Sequence, residues 1–243
     1  MSHESYDPEA GTPAPPHAAD GSHDGTETAR ETAPPRPGLP WERRLELGAG
    51  TAVLQTVREV VFSPTATFRD MRVDGGWGEP LGFAVLVGSV FFWAAQVWEM
   101  LASTMMAGLP GFDPQEAAAA NAQQLVFAVL APFMVTVATL VAAAFVHLLL
   151  LMFGGASRPF ETTFRVMCYS WAVAVFNVIP FCGVLVGAVW RIVVQIVGVR
   201  EAQEVPGGRA AAAVLIPVLL GCLCLLFALV VSTSLANLAQ LGL

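Results

Sequence analysis

The chain has 243 residues, 55% of them hydrophobic and 13% charged, with a mean hydropathy of +0.62, a composition that excludes an ordinary water-soluble globule. Its net charge of −7 sits mainly in the first 40 residues, which hold seven of the 19 acids and two of the 12 arginines. With every basic residue an arginine, no basic stripe and a pI near 5.0, nucleic acid is excluded as a partner.

Residues 1–40 also contain eight of the 17 prolines and almost nothing that burial would reward, so an acidic, Pro-rich disordered tail is predicted there. It has no positive start followed by a short apolar run, and no signal peptide is expected. Residues 41–78 read as short amphipathic helices. Val53, Val57, Val60 and Val61 fall on one helical face, with Gln55, Arg58 and Glu59 off it. Ser63 then has the character of an N-cap with Pro64 at the first helical position. Arg43, Arg44, Arg58, Arg69 and Arg72 cluster in this stretch, which suits the headgroup plane of a bilayer.

Residues 79–243 carry five apolar runs, at about 81–107, 125–153, 160–179, 181–199 and 210–235. About 20 residues at 1.5 Å each cross a hydrocarbon core of ~30 Å, so five spans are predicted. Asn177, Pro180 and Gly183 leave only a tight turn between the third and fourth runs, which are read either as two full spans or as a hairpin that enters and returns by one face. The fold class expected is all-α: a polytopic membrane bundle of about five helices. Arginines before Leu81, at Arg158 and Arg165, and at Arg200 and Arg209 alternate with arginine-free connections. The positive-inside rule therefore puts the N-terminus in the cytoplasm and the C-terminus across the membrane.

Arg191 stands out among the polar groups in these runs, ~12 Å from one end of its run by helical rise. A guanidinium at that depth requires acceptors or a path to the interface. It is read either as a site for an anionic lipid or solute or as a structural arginine, with Tyr169, Asn177 and Gln195 as companions in a polar seam. Glu99, ~27 Å into the first run, reads as interfacial, and His147, ~9 Å from the end of the second, as a packing histidine. Gly183 and Gly187 form a GxxxG that permits close helix approach, within the chain or between protomers of a homo-oligomer. Pro132 and Pro217 are candidate helix kinks, and Pro180 marks the turn.

Cys168, Cys182, Cys222 and Cys224 lie in apolar runs with no zinc spacing. There is no HExxH, GxSxG or GxxxxGK[ST] motif and no paired intramembrane carboxylates, so neither enzymatic activity nor a cofactor is expected.

The segment Thr56-Val57-Arg58-Glu59-Val60-Val61-Phe62-Ser63-Pro64, then Phe68, Met71 and Glu79-Pro80-Leu81, begins a resemblance that later residues make specific. The run from His147 to Gly155, then Phe160, Thr163, Phe164, Arg165, Tyr169, Pro180, Gly183, Trp190 and Val197-Gly198-Val199-Arg200-Glu201, resembles the bacterial branch of the Yip1 family over about Leu54 to Leu235. The resemblance implies a five-span protein with a cytoplasmic N-terminus and names the fold better than the job; five apolar spans without catalytic motifs suggest a non-enzymatic protein of the cell membrane, acting in membrane organisation or trafficking-like processes through lipid and protein partners. The eukaryotic-type DLYGP signature is absent, so binding of Rab GTPases is not implied. A small permease for an anionic solute, built on Arg191 and broken helices, is the alternative. It would be expected to show inverted repeats, and none is evident among five unequal runs.

Overall fold

The computed structural model describes residues 36–106, 109 and 113–240, and every regular element among them is helical. The disorder expected for residues 1–35 lies outside the described residues. Residues 36–40, expected to belong to the same tail, are instead docked: Gly38 donates its N–H to the Asp70 carbonyl at 2.9 Å, and Leu39 and Pro40 are buried.

A 3₁₀ turn at Pro40–Arg43 leads into α1 (Arg44–Leu47), α2 (Ala49–Phe62) and α3 (Pro64–Asp70). Helix α2 buries Ala52, Thr56, Val60 and Val61, while Val53 and Val57 are half-buried beside them, so the inward stripe is rotated by one position from the all-valine face. Pro64 opens α3, but the Ser63 side chain makes no capping bond. Its carbonyl instead accepts from the Thr67 hydroxyl at 2.9 Å. These helices pack on the bundle. The Trp41 ring meets Phe83 edge-on at 5.8 Å, and its indole N–H donates to the Glu79 carbonyl at 2.7 Å. At the other end of α2, the Trp190 indole donates to the Val61 carbonyl at 3.1 Å.

Among the described residues, four helices are long and apolar enough to cross a bilayer: α4 (Gly78–Met106), α5 (Pro114–Met152), α7 (Gly183–Gln203) and α8 (Gly207–Gln240). The run at 160–179 is built differently from the others. It is a ten-residue α6 (Phe160–Tyr169) continued by a nine-residue 3₁₀ segment, Ser170–Val178. At 1.5 and 2.0 Å per residue the rises of the two sum to about 33 Å, close to the ~31 Å of the 21-residue α7. The turn between them has Phe181 at φ +66°, and the Val178 carbonyl accepts from the Trp98 indole at 3.0 Å. Trp98 lies 20 residues, about 30 Å, beyond the start of α4.

Both internal prolines sit in uninterrupted helices. Pro132 has no N–H to give the Ala128 carbonyl four residues back, and the Trp93 indole from α4 donates to that carbonyl at 2.8 Å. The GxxxG faces residues 170–178 of the same chain. A Cβ at Gly183 would stand 1.9 Å from the Phe176 carbonyl oxygen, and one at Gly187 would stand 3.4 Å from the Phe176 Cβ. The core is thin: 28%, 17%, 28% and 6% of the apolar windows of α4, α5, α7 and α8 are buried inside the chain. From Leu219 to Leu235 α8 is exposed throughout.

Candidate functional site

Two polar assemblies stand out. The first joins the N-terminal segment to the start of α6 and the end of α7. Arg165 on α6 is fully buried and donates to Glu42 Oε1 at 2.7 Å. The same carboxylate accepts from the Tyr169 hydroxyl at 3.1 Å, and from the Leu39 and Arg72 amides at 2.9 and 3.4 Å. Arg165 also donates to Glu161 at 3.3 Å and to the Gly76 carbonyl at 3.0 Å. Burial raises the Glu42 carboxyl above its ordinary 4.5, and the Leu39 amide, the Arg165 guanidinium, the Arg72 amide and the Tyr169 hydroxyl only partly offset it. Gly38 is required beside this group, because at φ +82° its missing Cβ would stand 2.7 Å from Glu42 Oε2.

Around that centre, Glu204 at the end of α7 pairs with Arg36 at 2.9 Å and with Arg158, and Glu201 accepts from Arg69 at 3.1 Å. Gln203 is fully buried, donates to Thr163 at 2.8 Å and accepts from the Arg158 amide at 2.8 Å. His147 Nδ1 lies 3.0 Å from the same Thr163 hydroxyl, and its ring meets Phe160 edge-on at 5.5 Å. The arginine-bearing segments are thus largely engaged with one another. The composition of the sequence located these charges, but no spacing in it tied Glu42 to Arg165, 123 positions away.

The second assembly surrounds Arg191. Its guanidinium lies over the Trp171 ring, 3.7 Å from the centroid, a cation–π contact. Trp171 is fixed in turn: its indole donates to the buried Thr139 hydroxyl at 2.7 Å, and a Cβ at Gly88 would meet its ring at 3.0 Å. Beside Arg191 lies a cavity of about 370 Å³ that Asn177, Gln195 and Gly187 also line. Gln195 donates to the Ser170 hydroxyl at 3.3 Å.

Of the residues expected to form a polar seam, Arg191, Asn177 and Gln195 share this cavity. Tyr169 does not; its hydroxyl points to Glu42 in the other assembly. Glu99 is exposed on α4. Trp171, Thr139 and Gly88 carried no polar signal in an apolar run, and sequence reasoning missed them. Cys168 is buried and Cys182, Cys222 and Cys224 are exposed, all four unpaired.

A Yip1 domain model matches residues 58–229, a stretch that includes both partners of the 170–178/α7 hairpin and Arg165, but begins after Glu42. No curated protein and no solved structure matches the chain. The domain match over most of the chain shows that it belongs to the Yip1 family, and the helices of bilayer length accord with a multi-pass membrane protein.

Proposed function

We propose that the chain is a non-enzymatic membrane protein that acts in membrane organisation by engaging lipids and protein partners laterally, with its N-terminus in the cytoplasm. The observation that carries this reading is the distribution of apolar surface: among the described residues, none of α4, α5, α7 and α8 has more than 28% of its apolar window buried inside the chain, and α8 has 6%. A helix that is apolar all round requires an apolar neighbour on each face, and here lipid or another protein supplies most of them. The charged groups near the span ends are engaged in ion pairs and hydrogen bonds that hold the fold together, an arrangement suited to a scaffold. The hairpin of residues 160–203 is inferred to be two full spans, since both arms match the bilayer in length.

The permease reading is less well supported, because α5 and α8 run uninterrupted through Pro132 and Pro217 where a transporter of this kind would present broken helices. A photo-crosslinking residue at Leu223, which is 66% exposed, is expected to capture lipid or protein in intact membranes, whereas one at the fully buried Val60 captures neither. Substrate-dependent anion flux in liposomes holding the purified protein would overturn this reading, as would an absence of adducts from Leu223.

A further inference from the structure

The cavity beside Arg191 is lined mainly by apolar side chains, among them Val184, Ile192 and Val218, with Arg191, Asn177 and Gln195 as its polar members. Arg191 rests on the Trp171 face and, among the described residues, neither it nor Asn177 makes a side-chain hydrogen bond. Counted along α7, Arg191 lies eight residues, about 12 Å, from Gly183 and twelve residues, about 18 Å, from Gln203, well inside a ~30 Å core. A guanidinium placed there with unused donors is costly unless an acceptor arrives from outside the chain. Its planar fork matches the oxygens of a phosphate, while the apolar walls suit acyl chain. The volume, about 370 Å³, is that of a small-ligand site.

Resting on the reading that these helices lie in a bilayer, we propose that this cavity binds the phosphate group of an anionic amphipath, with Arg191 as the anchor, Asn177 and Gln195 as flanking hydrogen-bonding groups, and Trp171 as the plate that holds the guanidinium in place. A free phosphate ion shares the headgroup chemistry but gains nothing from the apolar walls, which favours a lipid as the source.

The test uses the full chain purified in detergent and native mass spectrometry with three probes: dioleoylphosphatidylglycerol, dioleoylglycerol and inorganic phosphate. The phosphatidylglycerol is expected to be retained and the dioleoylglycerol lost. Arg191→Gln is expected to weaken retention about tenfold to a hundredfold, as for loss of a charged hydrogen-bond donor. Ala188→Leu, at an exposed α7 position that lines the cavity, is expected to weaken it by filling the space, and this variant decides the matter if Arg191→Gln does not fold. Displacement of the phosphatidylglycerol by millimolar phosphate would support the anion site while assigning a soluble source. Equal retention of dioleoylglycerol, or retention in both variants equal to that of the unaltered chain, would overturn the proposal. A chain that remains in the supernatant after ultracentrifugation without detergent would instead sink the bilayer reading beneath it.

Discussion

Arg165 and Glu42 pose the sharpest energetic question at the level of single side chains. Both are fully removed from solvent and 2.7 Å apart, and a buried pair is weak evidence of net stabilisation although removing one partner is costly. Arg165→Met leaves a buried carboxylate without its cation, and a loss of about 3–5 kcal/mol is expected at neutral pH, read as a lowered unfolding midpoint in detergent. Adding Glu42→Gln to that variant removes the orphaned charge while its one amide oxygen keeps an acceptor for the Leu39 amide, so part of the loss should return. A double variant no more stable than Arg165→Met would refute the buried-charge account. The raised Glu42 carboxyl also fixes the sign of a pH effect. A carboxyl with a higher folded than unfolded pKa holds more protons in the folded state, so its contribution to stability is greatest below 4.5 and declines as pH rises through the folded value. The unfolding midpoint is therefore expected to fall across that window, and Glu42→Gln should flatten this part of the profile.

Among whole elements, the hairpin of residues 160–203 depends on glycine at a single contact. Gly183 sits where any Cβ would strike the Phe176 carbonyl oxygen at 1.9 Å, a backbone atom with nowhere to go, whereas Gly187 has 3.4 Å of room. Gly183→Ala is expected to cost at least the 1–3 kcal/mol typical of overpacking, and Gly187→Ala well under that. Equal midpoints for the two variants would show that the turn relaxes more freely than its geometry allows. The helices are further tied by tryptophan N–H groups reaching carbonyls on other elements, at Trp41, Trp93, Trp98 and Trp190, and a hydroxyl at Trp171. Each such ring buries apolar area and satisfies one polar atom at its edge. In a bilayer this matters most for Ala128, the carbonyl that Pro132 leaves without its usual donor.

For the molecule as a whole, the arrangement of arginines leads to an orientation that a fusion experiment can check. A reporter active only outside the cytoplasm, placed after Leu243, is expected to be active, and the same reporter placed before Met1 inactive; the opposite pattern would reverse the inferred topology. The run lengths made the membrane-spanning character legible, because 20-residue apolar stretches have only one economical solvent. The same runs did not reveal that residues 170–178 leave the α-helical path for a 3₁₀ one, since aromatic and β-branched residues of similar hydropathy serve either geometry.

What the sequence determined alone is what local chemistry dictates: apolar stretches of bilayer length, a glycine- and proline-marked turn at Pro180 and Gly183, charges gathered near the span ends, and the family resemblance over most of the chain. Tertiary structure alone decided the partnerships. It brought Glu42 to Arg165, placed Tyr169 with them and away from Arg191, and set Trp171 under the Arg191 guanidinium. Contacts between residues far apart in the chain depend on how rods of nearly uniform apolar surface rotate against one another, and a one-dimensional pattern without polar punctuation does not specify that rotation.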